Sequence, residues 1–319
     1  MTAAPAPPRE TQRKAWLAWA AVCLIWGTTY LGIKVALETI PPFLMGGLRY
    51  GAAGLVLAAV LSLRGRALPP VDTWPRLAVL GFFMLGFGNG GVVLGSQWLP
   101  SGLIAVLIAT SPFWMVTVEA AVTGGTQLRA REWTGLSIGF AGIVLLVWPD
   151  ITIGGASGKA FLWGVVSVQL ACAGWSVGSA YTRRHVMPAD VMGAAAIQMI
   201  FGGVFMTIAG TLLGEWSHLA FNTRTTMAFV YLTFAGSVVA FAAYSYALRH
   251  LDVAIVSLYT YVNPIIAVAL GAWLLGEPVG WRMFAAAGLI AAGVLVVGPG
   301  RTAKPAELTG QRSKVTGQR

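Results

Sequence analysis

Charged side chains are what this chain most lacks: Asp, Glu, Lys and Arg make up 10% of its 319 residues, where a soluble globular domain carries about 25%. A water-exposed surface cannot be built from so few. Cysteine is scarcer still. The two copies, Cys23 and Cys172, both fall inside apolar segments, so no disulfide framework is indicated and they read as small packing residues. The three histidines, His185, His218 and His250, stand at segment ends without a second histidine or a carboxylate at ligand spacing, which argues against a zinc centre. No metal or other cofactor is expected. A membrane-embedded enzyme would need a nucleophile, base or metal constellation at depth, and no apolar segment supplies one.

Apolar sequence fills the chain instead, with 57% hydrophobic residues and a mean hydropathy of +0.74. A bilayer is crossed by roughly 20 apolar residues. Ten such spans are read at 15–37, 41–63, 76–98, 100–122, 131–148, 159–181, 190–213, 225–249, 251–275 and 280–298. The connections are too short for a soluble catalytic domain, so any activity resides inside the bundle, with the lipid bilayer around it.

The net charge of +10 is a topology signal rather than a nucleic-acid footprint. With the N-terminus placed in the cytoplasm, Arg64, Arg66, Arg129, Arg131, Arg183, Arg184 and Arg249 fall on that side, as do the cations of both tails. Lys159, Arg224 and Arg282 are left on the other. That asymmetry follows the positive-inside rule and predicts a multi-pass protein of a bacterial inner membrane with both termini cytoplasmic. Residues 1–14 and the basic segment 301–319 read as cytoplasmic tails.

The second half repeats the first at an offset of about 150 residues. Cys23 and Trp26 match Cys172 and Trp175, Leu99-Pro100 matches Leu251-Asp252, and Ser111-Pro112 matches Asn263-Pro264. Each copy, 15–148 and 159–298, holds five spans, and an odd number inverts the second copy across the bilayer. The predicted fold is therefore all-α integral membrane: ten transmembrane helices as two inverted-topology five-helix repeats. Such repeats usually place a binding site at the midplane between them.

Several interior residues are candidates for that site. Pro112 and Pro264 interrupt the fourth and ninth spans near their centres, and each frees a carbonyl, that of Ile108 or Thr260. In a bilayer a freed carbonyl must be met by protein or by a wet cavity, so the matched pair is read as helix breaks at a cavity. Trp26, Tyr30, Trp114, Trp175, Tyr244 and Tyr259 lie deeper than an interfacial belt and could line a cavity for an amphipathic solute. Arg49, roughly 12 Å into the membrane at 1.5 Å per residue, either binds an internal carbonyl or faces a substrate carboxylate. Asn89, Gln97 and Asn263 offer uncharged hydrogen bonding in the same region, as Gln169 and Gln198 do between helices. Lys34 and Glu38, one turn apart, suggest a snorkelling pair. Glu119 suggests either a surface pair with Arg129 or Arg131, or proton coupling. Gly135, Gly139 and Gly142 in the fifth span, with Gly288, Gly293 and Gly298 in the tenth, mark close helix packing or a homodimer surface. The glycines around Asn89 suggest a hinge in the third span or close packing there.

Ile25-Trp26-Gly27-Thr28-Thr29-Tyr30, Leu48-Arg49-Tyr50, Leu99-Pro100-Ser101-Gly102-Leu103, Tyr261-Val262-Asn263-Pro264 and Gly276-Glu277-Pro278 follow one another in order over the two copies. The chain from about residue 15 to 298 resembles the EamA-like exporters of the drug/metabolite transporter superfamily. That resemblance implies a ten-helix inner-membrane carrier exporting amino acids and related metabolites. It also implies a cavity walled mainly by spans one, three, four, six, eight and nine. The function expected is export of a small amphipathic molecule, a neutral, hydrophobic or aromatic amino acid, by alternating access. An organophosphate or nucleotide-sugar carrier is the rival, and it would want several converging cations where Arg49 stands almost alone.

Overall fold

The computed structural model describes residues 9–122, 129–153, 155–185, 188, 190–251, 255, 256 and 258–297. Among these residues there is no strand, and ten helical rods follow one another. We label them α1 (Arg9–Ala36), α2 (Pro42–Leu63), α3 (74–95), α4 (101–122), α5 (Ala130–Ile153), α6 (Gly155–Arg184), α7 (Val191–Leu212), α8 (Thr223–His250), α9 (Tyr259–Leu275) and α10 (Trp281–Val297). Seven helices among the described residues are long and apolar enough to cross a membrane, and Tyr259–Leu275 and Trp281–Val296 are shorter apolar helices. Leu63, Leu212, Ile265, Trp273 and Leu295 are exposed, as apolar side chains are where lipid replaces water.

The repeat is visible in the packing. Where α1 lies on α8 and α9, its counterpart α6 lies on α3 and α4, while α2 pairs with α7 and α5 with α10. Close pairing needs small residues: a Cβ on Gly203 would come 2.4 Å from the Gly51 nitrogen, and one on Gly293 would come 2.5 Å from the Gly135 carbonyl. Gly142 of α5 and Gly293 of α10 thus face the partner helix inside one chain, Gly139 also packs on Phe113 of α4, Gly288 has open space around it, and Gly298 lies outside the described residues. α1 begins at Arg9, before the apolar run does, and the Lys14–Glu10 pair at 2.8 Å spans one turn of that extension. The segment 301–319 lies outside the described residues.

At the end of the bundle where α1 finishes, two glutamates tie the halves together. Gly214 and Gly276 adopt the left-handed backbone that glycine tolerates (φ 71° and 64°), and each turns the next residue back into the bundle. Glu215 accepts from the backbone nitrogens of Phe43 (3.2 Å) and Leu44 (2.8 Å) at the start of α2. Glu277 accepts from the nitrogens of Ser101 (2.8 Å) and Gly102 (3.3 Å) and from the Ser101 hydroxyl (2.7 Å) at the start of α4. A helix start has amide donors without partners, and a hydrogen bond to a charged acceptor contributes about 1.5–3 kcal/mol.

Lys34 works at the same end and does not pair with Glu38 as its spacing suggests. Its Nζ donates to the carbonyls of Ser96 (2.8 Å) and Leu99 (3.0 Å), which the end of α3 leaves open. Glu38 instead meets Arg224 of α8 at 3.0 Å. A partly buried ammonium gains more from two carbonyls that need a donor than from a carboxylate that can reach solvent.

Candidate functional site

Trp26 and Tyr30 lie four residues apart on α1 and so share one face. The indole Nε1 of Trp26 donates to the Gly236 carbonyl of α8 (3.1 Å). Its ring packs edge-on to Tyr259 of α9 at 4.9 Å and is tilted over Tyr244 of α8 at 5.2 Å, while Tyr244 and Tyr259 meet edge-on at 5.9 Å. Three aromatic rings from three helices and both halves therefore form one cluster. Edge-to-face pairs of this kind are worth about 0.5–1.5 kcal/mol beyond their buried area.

Asn263 sits beneath them and is 4% exposed. The surrounding acceptors orient its amide: the nitrogen donates to the carbonyls of Cys23 (3.1 Å) and Tyr259 (3.0 Å), which leaves the oxygen for the Tyr30 hydroxyl. Tyr30 packs its ring against the Leu99–Leu107 cluster of α4 and so spans both sides of the interface. One asparagine thereby joins α9 to two points on α1.

Arg49 of α2 is 4% exposed. Its Nε donates to Ser237 Oγ of α8 at 2.9 Å, and the Ser237 hydroxyl itself donates to the Leu232 carbonyl at 3.1 Å. The guanidinium carbon stands 4.8 Å from the centre of the Tyr50 ring, a contact worth about 2 kcal/mol when desolvated. Gly236 is the hinge between this arginine and the aromatic rings. A Cβ there would come 3.2 Å from Arg49 Nη2 and 3.0 Å from Thr29 Cγ2, so the bare glycine lets the guanidinium and the Trp26 bond share one turn of α8.

That turn is a π-helix. Leu232–Val239 in α8 and Gly81–Asn89 in α3 both widen to π geometry, at repeat-matched places. Such widened turns are rare and are frequently found at functional sites. In each, a side chain reaches five residues back along its own helix: Ser237 to Leu232, and Asn89 Nδ2 to the Met84 carbonyl (3.2 Å). The glycine run around Asn89 signalled the α3 segment. Gly236-Ser237, a single small pair in an apolar run, left the α8 segment and the Arg49 partner unseen in the sequence.

The remaining candidates go elsewhere. Trp114 Nε1 donates to Gln169 Oε1 at 2.9 Å, Thr110 donates to the same oxygen at 3.0 Å, and Ser111 reaches Cys172 Sγ at 3.4 Å, all between α4 and α6. Trp175, the repeat mate of Trp26, is 38% exposed and faces Gly88 of α3. Gln97 is exposed at the end of α3 and bonds the Leu94 carbonyl of its own turn. Asn89 stays within its own helix.

The prolines also part company. Pro112 opens Ser111–Val122 after a two-residue gap behind Ser101–Ile108, so α4 is broken there. Pro264 lies inside Tyr259–Leu275, which runs on through it, and α9 is not broken at that point. It stands early in the helix, and the neighbouring Asn263 side chain donates to the Tyr259 carbonyl. Glu119 pairs with Arg184 of α6 at 2.8 Å rather than with Arg129 or Arg131.

Known proteins share this architecture. A model of the EamA-like transporter family matches residues 13–148 and 162–298. The uncharacterized inner membrane transporter YedA of Escherichia coli K12 is 36% identical over 288 residues, which is 90% of this chain and 91% of that one. The uncharacterized transporter YvbV of Bacillus subtilis is 24% identical over 295 residues, covering 92% and 95%. A solved crystal structure superposes with a TM-score of 0.60 over 89% of this chain and 97% of its own, at 21% identity, and supports the fold alone.

Proposed function

The chain belongs to the EamA-like transporter family, and from that premise we propose that it exports small amphipathic metabolites across a bacterial inner membrane by alternating access of two inverted repeats. Neutral, hydrophobic or aromatic amino acids are the cargo the chemistry favours. The observation that carries this reading is the cluster of Trp26, Tyr244 and Tyr259 over Asn263, at a seam where α1 of one half meets α8 and α9 of the other. Aromatic faces suit an apolar side chain, and the asparagine, tyrosine and arginine groups beside them suit the polar end.

The direction of insertion rests on the cationic connections, which favour cytoplasmic termini. Repeat-matched π segments in α3 and α8 support a motion of one half against the other, since helices with two discrete hydrogen-bond patterns can switch between them. A homodimer through α5 and α10 would use their outer faces, where Trp133, Phe140, Phe284 and Leu295 are exposed.

Transport in proteoliposomes tests the proposal. A panel of labelled amino acids, with and without a proton gradient, should show saturable movement of hydrophobic or aromatic members. Changing Trp26 or Asn263 to Ala should reduce it at least tenfold in protein that still elutes as a single species. Vesicles that move no member of the panel would overturn the exporter assignment.

A further inference from the structure

We propose that Arg49 is the anchor for a cargo carboxylate: the edge of its guanidinium formed by Nη1 and Nη2 binds the carboxylate while the neighbouring aromatic cluster takes the apolar part. This rests on the exporter reading above and deepens it, naming monocarboxylates with an apolar or aromatic body as the preferred class.

The donor count carries the inference. A guanidinium has five N–H donors, and Arg49 spends one, the Nε–H, on Ser237. Among the described residues no Asp or Glu pairs with it, and its four Nη–H groups have no hydrogen-bond acceptor. An arginine this buried ordinarily has a paired counter-charge, because an isolated buried cation is costly. Here the counter-charge is missing and the remaining fork is the face that matches a carboxylate in bidentate fashion.

Its surroundings aim it. Ser237 is held by its own bond to Leu232 and so fixes the Nε end of the guanidinium plane. Gly236, beside Nη2, carries the carbonyl that holds Trp26, which puts the free fork next to the aromatic rings. No acidic side chain shares the seam: among the described residues the paired carboxylates, such as Glu38, Glu119, Asp190 and Glu277, sit near helix ends. A solute whose carboxylate has been converted to an amide would bring an uncompensated ammonium to a site that already holds a cation. Discrimination between acid and amide follows from this charge arrangement.

The test compares L-phenylalanine and L-leucine with L-phenylalaninamide and L-leucinamide in proteoliposomes of the full chain. Wild-type protein should move the acids with a kcat/KM at least tenfold above the amides. Arg49→Gln should lower kcat/KM for the acids at least tenfold more than for the amides, so that the preference collapses. Ser237→Ala, a smaller change that frees the Nε end, should narrow the acid preference severalfold and provides a readout should Arg49→Gln fail to fold. Acids and amides moved alike by wild type would overturn the anchor alone. So would an acid preference left intact in both variants. Movement of neither class, with none of the wider amino-acid panel moved, would overturn the exporter reading and the anchor with it.

Discussion

The two copies of the repeat build the same seam twice and furnish it differently. On one side α1 and α2 meet α8 and α9 through Trp26, Arg49, Ser237 and Asn263. On the other, α6 and α7 meet α3 and α4, and the corresponding residues are Trp175, Gln198, Gly86 and Ser111. Among the described residues Gln198, in the place of Arg49, reaches only the Met84 thioether at 3.6 Å, and the Trp175 indole makes no bond like that of Trp26 to Gly236. In their stead Gln169 gathers Trp114 and Thr110. A duplicated scaffold thus keeps its helix pairing and its matched π segments, though not the break at Pro112, while one seam becomes charged and aromatic and the other a neutral amide network. The ligand site proposed above lies at the first.

The largest expected contrast is between the two amides. Asn263→Leu removes two side-chain hydrogen bonds, to the carbonyls of Cys23 and Tyr259, at about 1 kcal/mol each, and should cut transport at least tenfold. Gln169→Leu strands the Trp114 donor at about 1–3 kcal/mol, while the Thr110 hydroxyl keeps its bond to the Leu107 carbonyl; the loss is read as a lower melting temperature, with the KM for cargo within about threefold. A folded Gln169→Leu protein that has lost transport would reverse the assignment of the two seams.

A smaller contrast is expected between the paired tryptophans. Trp26→Phe keeps the ring and removes one hydrogen bond of about 1 kcal/mol, so cargo affinity should fall about five- to tenfold. Trp175→Phe should change it less than about twofold, since no partner is lost. Equal effects in a binding titration would contradict the asymmetry.

The π segments give a contrast in stability. Gly236→Ala forces its Cβ against Thr29 and Arg49 and should destabilise by about 1 kcal/mol or more. Gly86→Ala meets Phe205 Cβ at an ordinary 3.4 Å and should be neutral or stabilising by about 0.5 kcal/mol, because alanine favours a helix. Thermal unfolding in detergent distinguishes them.

The smallest effect is expected at Glu119. Glu119→Gln weakens a partly exposed pair with Arg184 and should shift stability by at most about 1 kcal/mol. Transport should stay within about twofold, and a larger loss that tracks the proton gradient would revive a coupling role.

Much of this was legible in one dimension. The order and rough position of the spans followed from hydropathy, and Trp26, Tyr244, Tyr259 and Asn263 were visible as polar or aromatic groups too deep for an interface. Trp114 was legible as a buried group but not in its partner, and Gln97 was misplaced because a helix end cannot be located to the residue from hydropathy. The matched Ser111-Pro112 and Asn263-Pro264 pairs suggested two equal breaks, whereas local geometry breaks only α4. Lys34 was assigned to Glu38 by i,i+4 spacing, yet carbonyls left open by α3 outbid a neighbour able to reach water. The Gly-Glu pairs at 214–215 and 276–277 were a usable signal for the helix-capping turns, though only the second stood out in the family motif.

The sequence by itself determined the ten spans, the duplication and the inventory of polar groups placed in the membrane. Each depends on composition and order along the chain, which apolar burial and repeat length translate directly into structure. Only the tertiary structure decided which of those groups meet: Arg49 and Ser237 stand 188 residues apart, and Trp26 finds its acceptor 210 residues away. Such pairings depend on which face each helix turns to its neighbours, and close packing through small residues sets that, residue by residue, across both halves at once.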